Sequence, residues 1–322
     1  MRTVAHADAD PRPLPIEAAA CSLCGHRDAD PVASGPDYEY GTSPDIFHMV
    51  RCRRCGLLYL DPRPTADSAR RTYPDDYHAF QFDAEEFGLV YRVRRRVEAA
   101  RMLRAGRGLR PDARVLDVGS GDGFHLDLIR QYGPPGWRLR GVDLDERAVR
   151  IARARGLDVE EAELARSSVP ADSQDLVLLI QTIEHVADPV ALLRDIRRVL
   201  RPGGRLVVVT DNTGSPDARW ARASHWGGYH FPRHWSLFDR STLTGAATQA
   251  GLEVDQLTTM ASPVNWTYSL RNYLQDKGYG PRVVSQLALD RPIPLAVFTV
   301  VDLAAVALRR GALLRAVLTR PR

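Results

Sequence analysis

The sequence predicts an α/β fold with a doubly wound parallel sheet, preceded by a small module that contains four cysteines. From residue 113 onward, short apolar strand patterns alternate with helical patterns, which is typical of strand–helix–strand units. A glycine-rich turn follows the first of these strands, and two C-x-x-C pairs near the N-terminus use every cysteine of the chain. The 322 residues, 44% of them apolar, suffice for one such domain and a smaller appendage.

The patterns divide the chain into a flexible tail (1–16), a zinc-binding module (17–82), a linking helix (83–111) and a main domain (112–322) with an insertion at about 262–311. A strand is expected at 57–60 and a helix at 84–109. In the main domain, strands are expected at 114–118, 139–143, 157–159, 176–180, 205–210, 252–258 and 313–319, and helices at 124–132, 146–155, 189–200 and 241–250.

The charge pattern gives little reason to expect a nucleic-acid or membrane surface. The formal net charge of +4 is small and spread along the chain. The longest apolar stretch, 293–308, is interrupted by Asp302, and residues 1–20 lack the apolar run of a signal peptide. We therefore expect a cytoplasmic protein without a membrane partner.

The cysteines form one pattern with metal-ligand spacing. Cys21 with Cys24 and Cys52 with Cys55 are two C-x-x-C turns, each followed by a glycine. Four thiolates complete a closed tetrahedral shell that suits structural Zn²⁺ and leaves no open coordination position. Disulfides or a redox dithiol are the alternatives, and a cytosolic location disfavours disulfides.

The glycine turn is the strongest functional motif. Asp117 lies in the strand before Gly119, Ser120, Gly121, Asp122 and Gly123. The glycines let the backbone approach a ligand closely, whereas the aspartates place negative charge where a dinucleotide would need its pyrophosphate. Asp143 ends the second strand, where a carboxylate can accept hydrogen bonds from two ribose hydroxyls, and Leu144 can pack on an adenine.

With Gly-Val-Asp-Leu-Asp at 141–145, the strand from Asp175 and Leu-Arg-Pro-Gly-Gly at 200–204, this turn resembles the class I S-adenosylmethionine-dependent methyltransferases over residues 112–260. The resemblance implies a Rossmann-like seven-stranded sheet. It implies a cofactor set of Asp117, Asp122, Gly119, Ser120, Gly121, Gly123, Asp143, Leu144 and Gln181, with residues 161–163 near the adenine. The cysteine turns ahead of such a domain resemble bacterial natural-product methyltransferases, including sugar C-methyltransferases.

Methyl transfer to a protonated acceptor needs a base, and two segments at the carboxyl edge of the sheet offer one. Glu184 and His185 follow the fourth strand, where they either cap the next turn or bind a divalent cation, as a similar Glu-x-x-Glu-His run does in ubiquinone-pathway and small-RNA methyltransferases. Gln181 replaces the first glutamate of that run. His230 and His234 lie in an aromatic stretch after the fifth strand, and histidine is well suited to remove a proton near neutral pH. The resemblance to sugar C-methyltransferases, which have a histidine shortly before an aromatic-x-x-Phe stretch, implies His234 as the leading candidate base and His230 as the second.

These observations favour methylation of a small molecule at oxygen or carbon in specialised metabolism. One alternative is an RNA methyltransferase that uses the zinc module and the arginine-rich helix, which holds Arg92, Arg94, Arg95, Arg96 and Arg101. Another is a non-catalytic, zinc-dependent interaction protein with a methyltransferase-like domain. The sequence leaves a homodimer open, and it favours a small molecule over nucleic acid as the partner.

Overall fold

The computed structural model describes residues 12–74, 77, 84–221, 223–289 and 291–322, with the side chains of 84–94 left outside this description. Residues 1–11 of the expected tail and most of 75–83 at the end of the expected module therefore lie outside the described residues.

The N-terminal module is a small antiparallel sheet flanked by short elements. Its elements are β1 (Ile16–Glu17), β2 (Ala29–Gly35), β3 (Phe47–Cys52), β4 (Leu58–Leu60), β5 (Arg63–Pro64) and α1 (Ala66–Ala69), followed by a 3₁₀ turn at Arg70–Thr72. The long helix α2 (Ala84–Ala105) then leads to the main domain, and it ends before the predicted residue 109.

The main domain alternates strands and helices as the sequence predicts. Its elements are β6 (Arg114–Val118), α3 (Phe124–Tyr132), β7 (Arg138–Asp143), α4 (Glu146–Ala154), β8 (Val159–Glu161), β9 (Gln174–Ile180), α5 (Pro189–Val199), β10 (Leu200–Asp211), α6 (Pro216–Trp220), β11 (Ser236–Leu237), α7 (Arg240–Gln249), β12 (Glu253–Met260), α8 (Pro263–Asp276), α9 (Pro281–Val284), α10 (Pro292–Ala307) and β13 (Leu313–Thr319).

The main sheet has seven strands in the order β12-β13-β10-β9-β6-β7-β8. Strands β6 to β10 pair in parallel, as expected for strand–helix–strand units. Strand β13 pairs antiparallel with both β10 and β12, so the sheet is mixed rather than wholly parallel. The helical insertion between β12 and β13 carries the chain back to the sheet, and the last strand enters between its two neighbours in the opposite direction.

One strand lies further along the chain than predicted. Residues 157–159 are apolar at alternate positions, but β8 begins only at Val159. Gly156 adopts a left-handed φ of 74°, and the Leu157 amide donates to the Ala152 carbonyl at 3.2 Å. Leu157 therefore completes the C-terminal cap of α4 instead of starting the strand.

The cysteine module shares its core with the main domain. Cys21, Cys52 and Tyr59 belong to the same apolar cluster as Phe238 and Leu243. Strand β11, from the main domain, pairs antiparallel with β4 and so becomes the edge strand of the module's sheet. The module is thus joined to the segment that carries His230 and His234.

The expected insertion is helical. Helix α8 packs on a 3₁₀ turn at Gly227–Tyr229, and α10 packs on α8. Asp302 accepts hydrogen bonds from the amides of Ser262 (2.5 Å) and Ala312 (3.2 Å), which ties the two ends of the insertion together. Ile293 in α10 and Leu308 directly after it are more than 70% exposed. The homodimer stays a prediction, and among the described residues no helix has the length and apolar character that crossing a membrane requires.

Candidate active site

The glycine turn between β6 and α3 has the tight backbone that its sequence predicts. Gly119, Gly121 and Gly123 all adopt left-handed φ angles, of 72°, 52° and 81°. A Cβ atom at Gly119 would lie 2.4 Å from the Thr182 side chain, so only glycine fits there. Since Thr182 precedes Glu184 and His185, this contact places the turn beside the segment that follows β9.

Two buried polar side chains at the turn have no hydrogen-bond partner among the described residues. These side chains are Asp117, of which neither carboxylate oxygen forms a hydrogen bond, and Ser120, whose hydroxyl forms none. His125 Nδ1 lies 3.7 Å from Asp117, and burial raises the pKa of that carboxyl above its usual value. Asp117 thus has an ion-pair partner in His125 but no hydrogen-bond partner among the described residues, so it fits a ligand that brings a cationic or hydrogen-donating group to the turn.

Asp143 is held by backbone amides at the end of β7. Its two carboxylate oxygens accept from Gly121 (2.7 Å) and from Asp145 (2.8 Å), and each oxygen keeps a second lone pair that a ribose hydroxyl can use. Leu144 beside it is 58% exposed, as a side chain that packs on an adenine would be before the ligand binds. Burial raises the pKa of the Asp143 carboxyl.

Asp122 has a different environment from Asp117. Its carboxylate accepts from Arg155 Nη1 at 2.7 Å and from the Phe124 amide at 3.1 Å, at the start of α3. Its charge is therefore compensated within the chain, and its contact with the methionine part of a cofactor stays a prediction. Gln181 lies on the surface with a left-handed φ of 50°, and its cofactor contact also stays a prediction.

The four cysteines converge. Cys21 Sγ lies 3.4 Å from Cys55 Sγ, Cys24 Sγ lies 3.5 Å from Cys52 Sγ, and all four sulfurs are within 4.8 Å of one another. A tetrahedral site with Zn–S bonds of about 2.3 Å requires sulfurs roughly 3.8 Å apart. Gly25 and Gly56 close the two turns with left-handed φ angles of 69° and 80°. The four thiols are not disulfide-bonded, and their arrangement fits zinc.

A second convergent set of ligand atoms lies at the carboxyl edge of the sheet. Glu184, His185 and His234 place their ligand atoms within 4.8 Å of one another. His185 Nδ1 bonds to the Arg233 carbonyl at 3.1 Å, and His234 Nδ1 bonds to the Gly228 carbonyl at 2.8 Å. Because a carbonyl oxygen only accepts hydrogen bonds, both rings have their proton on Nδ1. The Nε2 atom of each ring is therefore unprotonated, and its lone pair can bind a metal ion or a proton.

His234 lies in the interior of the site, because it is only 6% exposed. Burial, followed by the charge of His185, lowers the pKa of His234 well below its usual value. Burial, followed by the charge of His230, lowers the pKa of His185 to about 3. Both rings are therefore neutral near physiological pH. The neighbouring side chains Trp235, Leu237 and Phe238 are buried in the core.

Glu184 shares its surroundings with Asp211, a residue that the sequence analysis missed. Burial, followed by the charge of Asp211, raises the pKa of Glu184 to about 8, and burial raises that of Asp211 to about 7. Glu184 Oε1 has no hydrogen-bond partner among the described residues, whereas its Oε2 accepts from Thr210 at 2.8 Å. The position of Asp211 at the carboxyl end of β10 is the signal that could have identified it.

The N-terminal module contributes charged and aromatic side chains to the same site. Arg233 is fully buried and forms a two-pronged ion pair with Asp37, at 3.0 and 2.8 Å. His230 Nδ1 lies 2.7 Å from Glu39, and its Nε2 lies 3.3 Å from the Tyr77 hydroxyl. None of Asp37, Glu39 and Tyr77 belongs to a motif that the sequence analysis recognised.

Tyr73 connects the histidine cluster with the segment that follows β7. Its hydroxyl lies 3.1 Å from His185 Nδ1, and its carbonyl accepts from Arg147 at 3.2 Å. Arg147 in turn forms an ion pair with Asp145, next to Asp143. The histidines His185, His230 and His234, with ring centroids 4.6 to 6.3 Å apart, therefore lie near the glycine turn.

The arginine-rich helix α2 offers less charge than its sequence suggests. Arg95 donates to Asp127 and Gln131 of α3, and Arg101 pairs with Glu98. The side chains of Arg92 and Arg94 lie outside the described residues. Arg96 is exposed, so among the described members of this set it is the one that most resembles a free surface cation.

Comparison with known proteins identifies the family of this chain. The family described as "Methyltransferase domain" matches residues 89–257. A probable S-adenosylmethionine-dependent methyltransferase of Mycolicibacterium smegmatis is 39% identical over 145 residues, which is 44% of this chain and 52% of that protein. A ubiquinone biosynthesis O-methyltransferase of Marinobacter nauticus is 30% identical over 49% of this chain and 71% of that protein. This chain thus spans about half the length of the first of these relatives.

Solved structures share the fold. Phosphoethanolamine N-methyltransferase 2 of Haemonchus contortus, in complex with S-adenosyl-L-methionine, superposes with a TM-score of 0.52 at 16% identity over 82% of this chain and 63% of that one. A geranyl diphosphate methyltransferase in complex with SAM gives 0.50 at 15% identity over 77% and 91% of the two chains. At this level of identity the match shows a common fold.

Proposed function

This chain belongs to the methyltransferase-domain family of S-adenosylmethionine-dependent enzymes, and from that premise we propose that it methylates an oxygen or an acidic carbon of a small molecule in specialised metabolism. The observation that carries the proposal is the cluster of three histidine rings, His185, His230 and His234, beside the glycine turn. Such rings can take the acceptor's proton as the methyl group is transferred.

The cofactor supplies an electrophilic methyl group on a sulfonium. Asp143 would hold the ribose, and the buried Asp117 and Ser120 would receive polar groups of the methionine part. The protein must also place the acceptor atom in line with the methyl group and remove its proton. His234 and His230 are the candidate bases, and the burial of His234 keeps its ring unprotonated.

We propose that Zn²⁺ in the four-cysteine cluster is structural. Four thiolates complete its coordination, and the cluster packs into the core that also holds β11. Metal analysis of the purified protein should give one zinc per chain, and Cys24→Ser should remove it. The serine variant should lose thermal stability, because metal binding and folding of such a cluster are coupled.

A divalent cation at Glu184, His185 and His234 is a second proposal for the same site. Its support is the pair of Nε2 lone pairs, each fixed by an Nδ1 bond to a backbone carbonyl, together with the unpartnered Glu184 Oε1. Glutamine at 181 removes one carboxylate from the set that a hard cation prefers. Addition of Co²⁺ to protein whose four-cysteine site already holds zinc tests this second metal site. Binding of Co²⁺ at Glu184, His185 and His234 would produce d–d absorption, and Glu184→Gln should abolish it.

Calorimetry with S-adenosylhomocysteine, followed by product-release assays on a panel of hydroxylated small molecules, tests the main proposal. We expect binding of the nucleoside and turnover with at least one acceptor, and a loss of turnover of roughly 100-fold or more when the base is removed, in His230→Gln or in His234→Gln. His48→Gln, on the exposed face of β3, is the matched control and should retain full activity.

The assay also separates the alternatives. The RNA alternative predicts salt-sensitive RNA binding and methylation of RNA rather than of the panel. The non-catalytic alternative predicts a folded, zinc-loaded protein that does not bind the nucleoside, and that result would overturn the proposal.

A further inference from the structure

His230 differs from the other two histidines of the cluster in having a carboxylate partner at short distance. Glu39, from the N-terminal module, approaches its Nδ1 to 2.7 Å, and both side chains are at least nine-tenths buried. We propose that Glu39 is a positioning residue that orients His230 as the base, in a relay that runs from Tyr77 through His230 to Glu39. This inference rests on the proposed methyl transfer.

The hydrogen bonds select one tautomer of His230. An ionised carboxylate only accepts, so Glu39 requires the proton on Nδ1 and leaves Nε2 as a lone pair. That lone pair lies 3.3 Å from the Tyr77 hydroxyl. Burial raises the pKa of Tyr77 well above its usual value, so the phenol stays protonated and donates to His230. The arrangement is a carboxylate–imidazole–hydroxyl chain, the order that general-base catalysis uses.

The framework holds both partners of this dyad rigidly. Asp37 accepts from the amides of Tyr40 (3.1 Å) and Thr42 (3.0 Å), which fixes the turn that carries Glu39. Arg233 binds Asp37, and its amide donates to the His230 carbonyl at 2.8 Å. One buried ion pair therefore sets the separation of Glu39 and His230.

His230 also has an unusual backbone. Its φ of 40° and ψ of 47° lie in the left-handed region, which non-glycine residues seldom adopt. Such conformations persist where surrounding structure imposes them, and they are common at functional sites. The ring of this residue contacts Glu39 and Tyr77 of the module.

The other two histidines lack this support. His185 Nδ1 bonds to a backbone carbonyl, which cannot compensate a positive ring. Asp211 lies 3.5 Å from His234 Nδ1, but that nitrogen already bonds to Gly228, and burial raises the pKa of Asp211 to about 7. An imidazolium forms at the lowest cost beside an ionised carboxylate, and Glu39 supplies that environment for His230.

The relay accounts for every proton and electron pair of the methyl transfer. As the acceptor oxygen or carbon forms its bond to the methyl carbon, the carbon–sulfur bond breaks and its electron pair stays on sulfur. The acceptor's proton passes to the Tyr77 oxygen while the Tyr77 proton passes to His230 Nε2. The resulting imidazolium is paired with Glu39, and its proton leaves to water after the products depart. No oxidant or reductant takes part.

Glu39→Gln tests the role of the carboxylate, and Glu17→Gln is its matched control because Glu17 pairs with Arg63 at the surface of the same module. With an acceptor from the panel, we expect kcat to fall roughly 100-fold in Glu39→Gln. The KM for S-adenosylmethionine, the zinc content and the affinity for S-adenosylhomocysteine should stay at wild-type values. A structural role would instead change affinity and zinc content together with kcat.

Nitrogen-15 NMR of histidine-labelled protein gives a second readout that needs no acceptor. His230→Gln identifies the resonance. We expect a single Nδ1-protonated tautomer with a strongly downfield proton in the wild type and in Glu17→Gln, and loss of that proton signal in Glu39→Gln. An Nε2-protonated ring in the wild type, or unchanged kcat in Glu39→Gln while His230→Gln is inactive, would overturn the inference alone. Failure of every variant and the wild type to bind the nucleoside would instead overturn the proposed function.

Discussion

The proposed site has two halves, one for the cofactor and one for the acceptor, and they are built in different ways. The cofactor half, from Asp117 to Asp145, is one continuous strand–turn–helix–strand unit. The acceptor half combines side chains from the module, from the turn after β9 and from the segment between α6 and β11. A continuous unit keeps its fold when one side-chain contact is lost. A site assembled from distant segments is stable only while the hydrogen bonds and ion pairs between those segments are intact. Loss of a ligand contact in the first half should therefore reduce affinity while the fold persists, and loss of a contact that joins the segments of the second half should reduce stability.

The largest loss of stability should follow removal of the buried Asp37–Arg233 ion pair, which joins the module to the main domain. Arg233→Met leaves Asp37 buried without its ion-pair partner. Loss of one partner of a buried pair typically costs about 3–5 kcal/mol of unfolding free energy. Denaturant titration should show this loss. Arg53→Met breaks the exposed pair with Asp30, so as a control it should cost well under about 1 kcal/mol.

A double variant sharpens the same comparison. Asp37→Leu combined with Arg233→Met removes both buried charges, and it should recover a large part of the stability lost in Arg233→Met alone. A double variant that is less stable than Arg233→Met would contradict the view that an uncompensated charge causes the loss. It would point instead to the hydrogen bonds that Asp37 and Arg233 make with the backbone.

In the cofactor half, Asp143→Ala should weaken binding while the fold persists. Hydrogen bonds from a ligand to a charged group contribute on the order of 1.5–3 kcal/mol, so we expect S-adenosylhomocysteine to bind about 10- to 100-fold more weakly by calorimetry. The thermal midpoint should change much less than in Arg233→Met. Unchanged affinity would mean that Asp143 does not contact the ribose.

The contrast also explains what could be predicted from the sequence. Strand β6, the glycine turn and α3 appear within the predicted bounds, because spacing and glycine chemistry are local. The start of β8 was missed because the left-handed Gly156 assigns Leu157 to the helix cap. Glu39 and Tyr77 were missed because they lie 191 and 153 residues from His230 in the sequence, and no local pattern records a contact over that separation.

The dependence of the unfolding free energy on pH in the acid range further tests the Asp37–Arg233 ion pair. Burial alone would raise the pKa of Asp37, but the charge and hydrogen bonds of Arg233 lower it to about 2, from an ordinary 3.8. A lowered folded-state pKa stabilises the protein above the unfolded value, and that contribution is lost as the pH falls toward the folded value. The stability advantage of wild type over Asp37→Asn should therefore shrink by roughly 2 kcal/mol between pH 4 and 2. Zinc release in acid affects both proteins, so the difference isolates Asp37, and parallel curves would contradict this account.

The smallest effect should come from the helix cap beside the ribose site. Asp145 is the N-cap of α4 and accepts from the amides of Arg147 (2.8 Å) and Ala148 (3.2 Å). Asp145→Ala removes both bonds and should cost about 1 kcal/mol of unfolding free energy. Its amide still donates to Asp143, so the ribose carboxylate keeps its orientation and affinity for S-adenosylhomocysteine should change less than about threefold. Asp188→Ala, at the N-cap of α5, is the control for a cap away from the ribose site and should show the same stability loss. If Asp145→Ala weakens binding as much as Asp143→Ala does, the cofactor half is not a set of separable local contacts, and the distinction between the two halves fails.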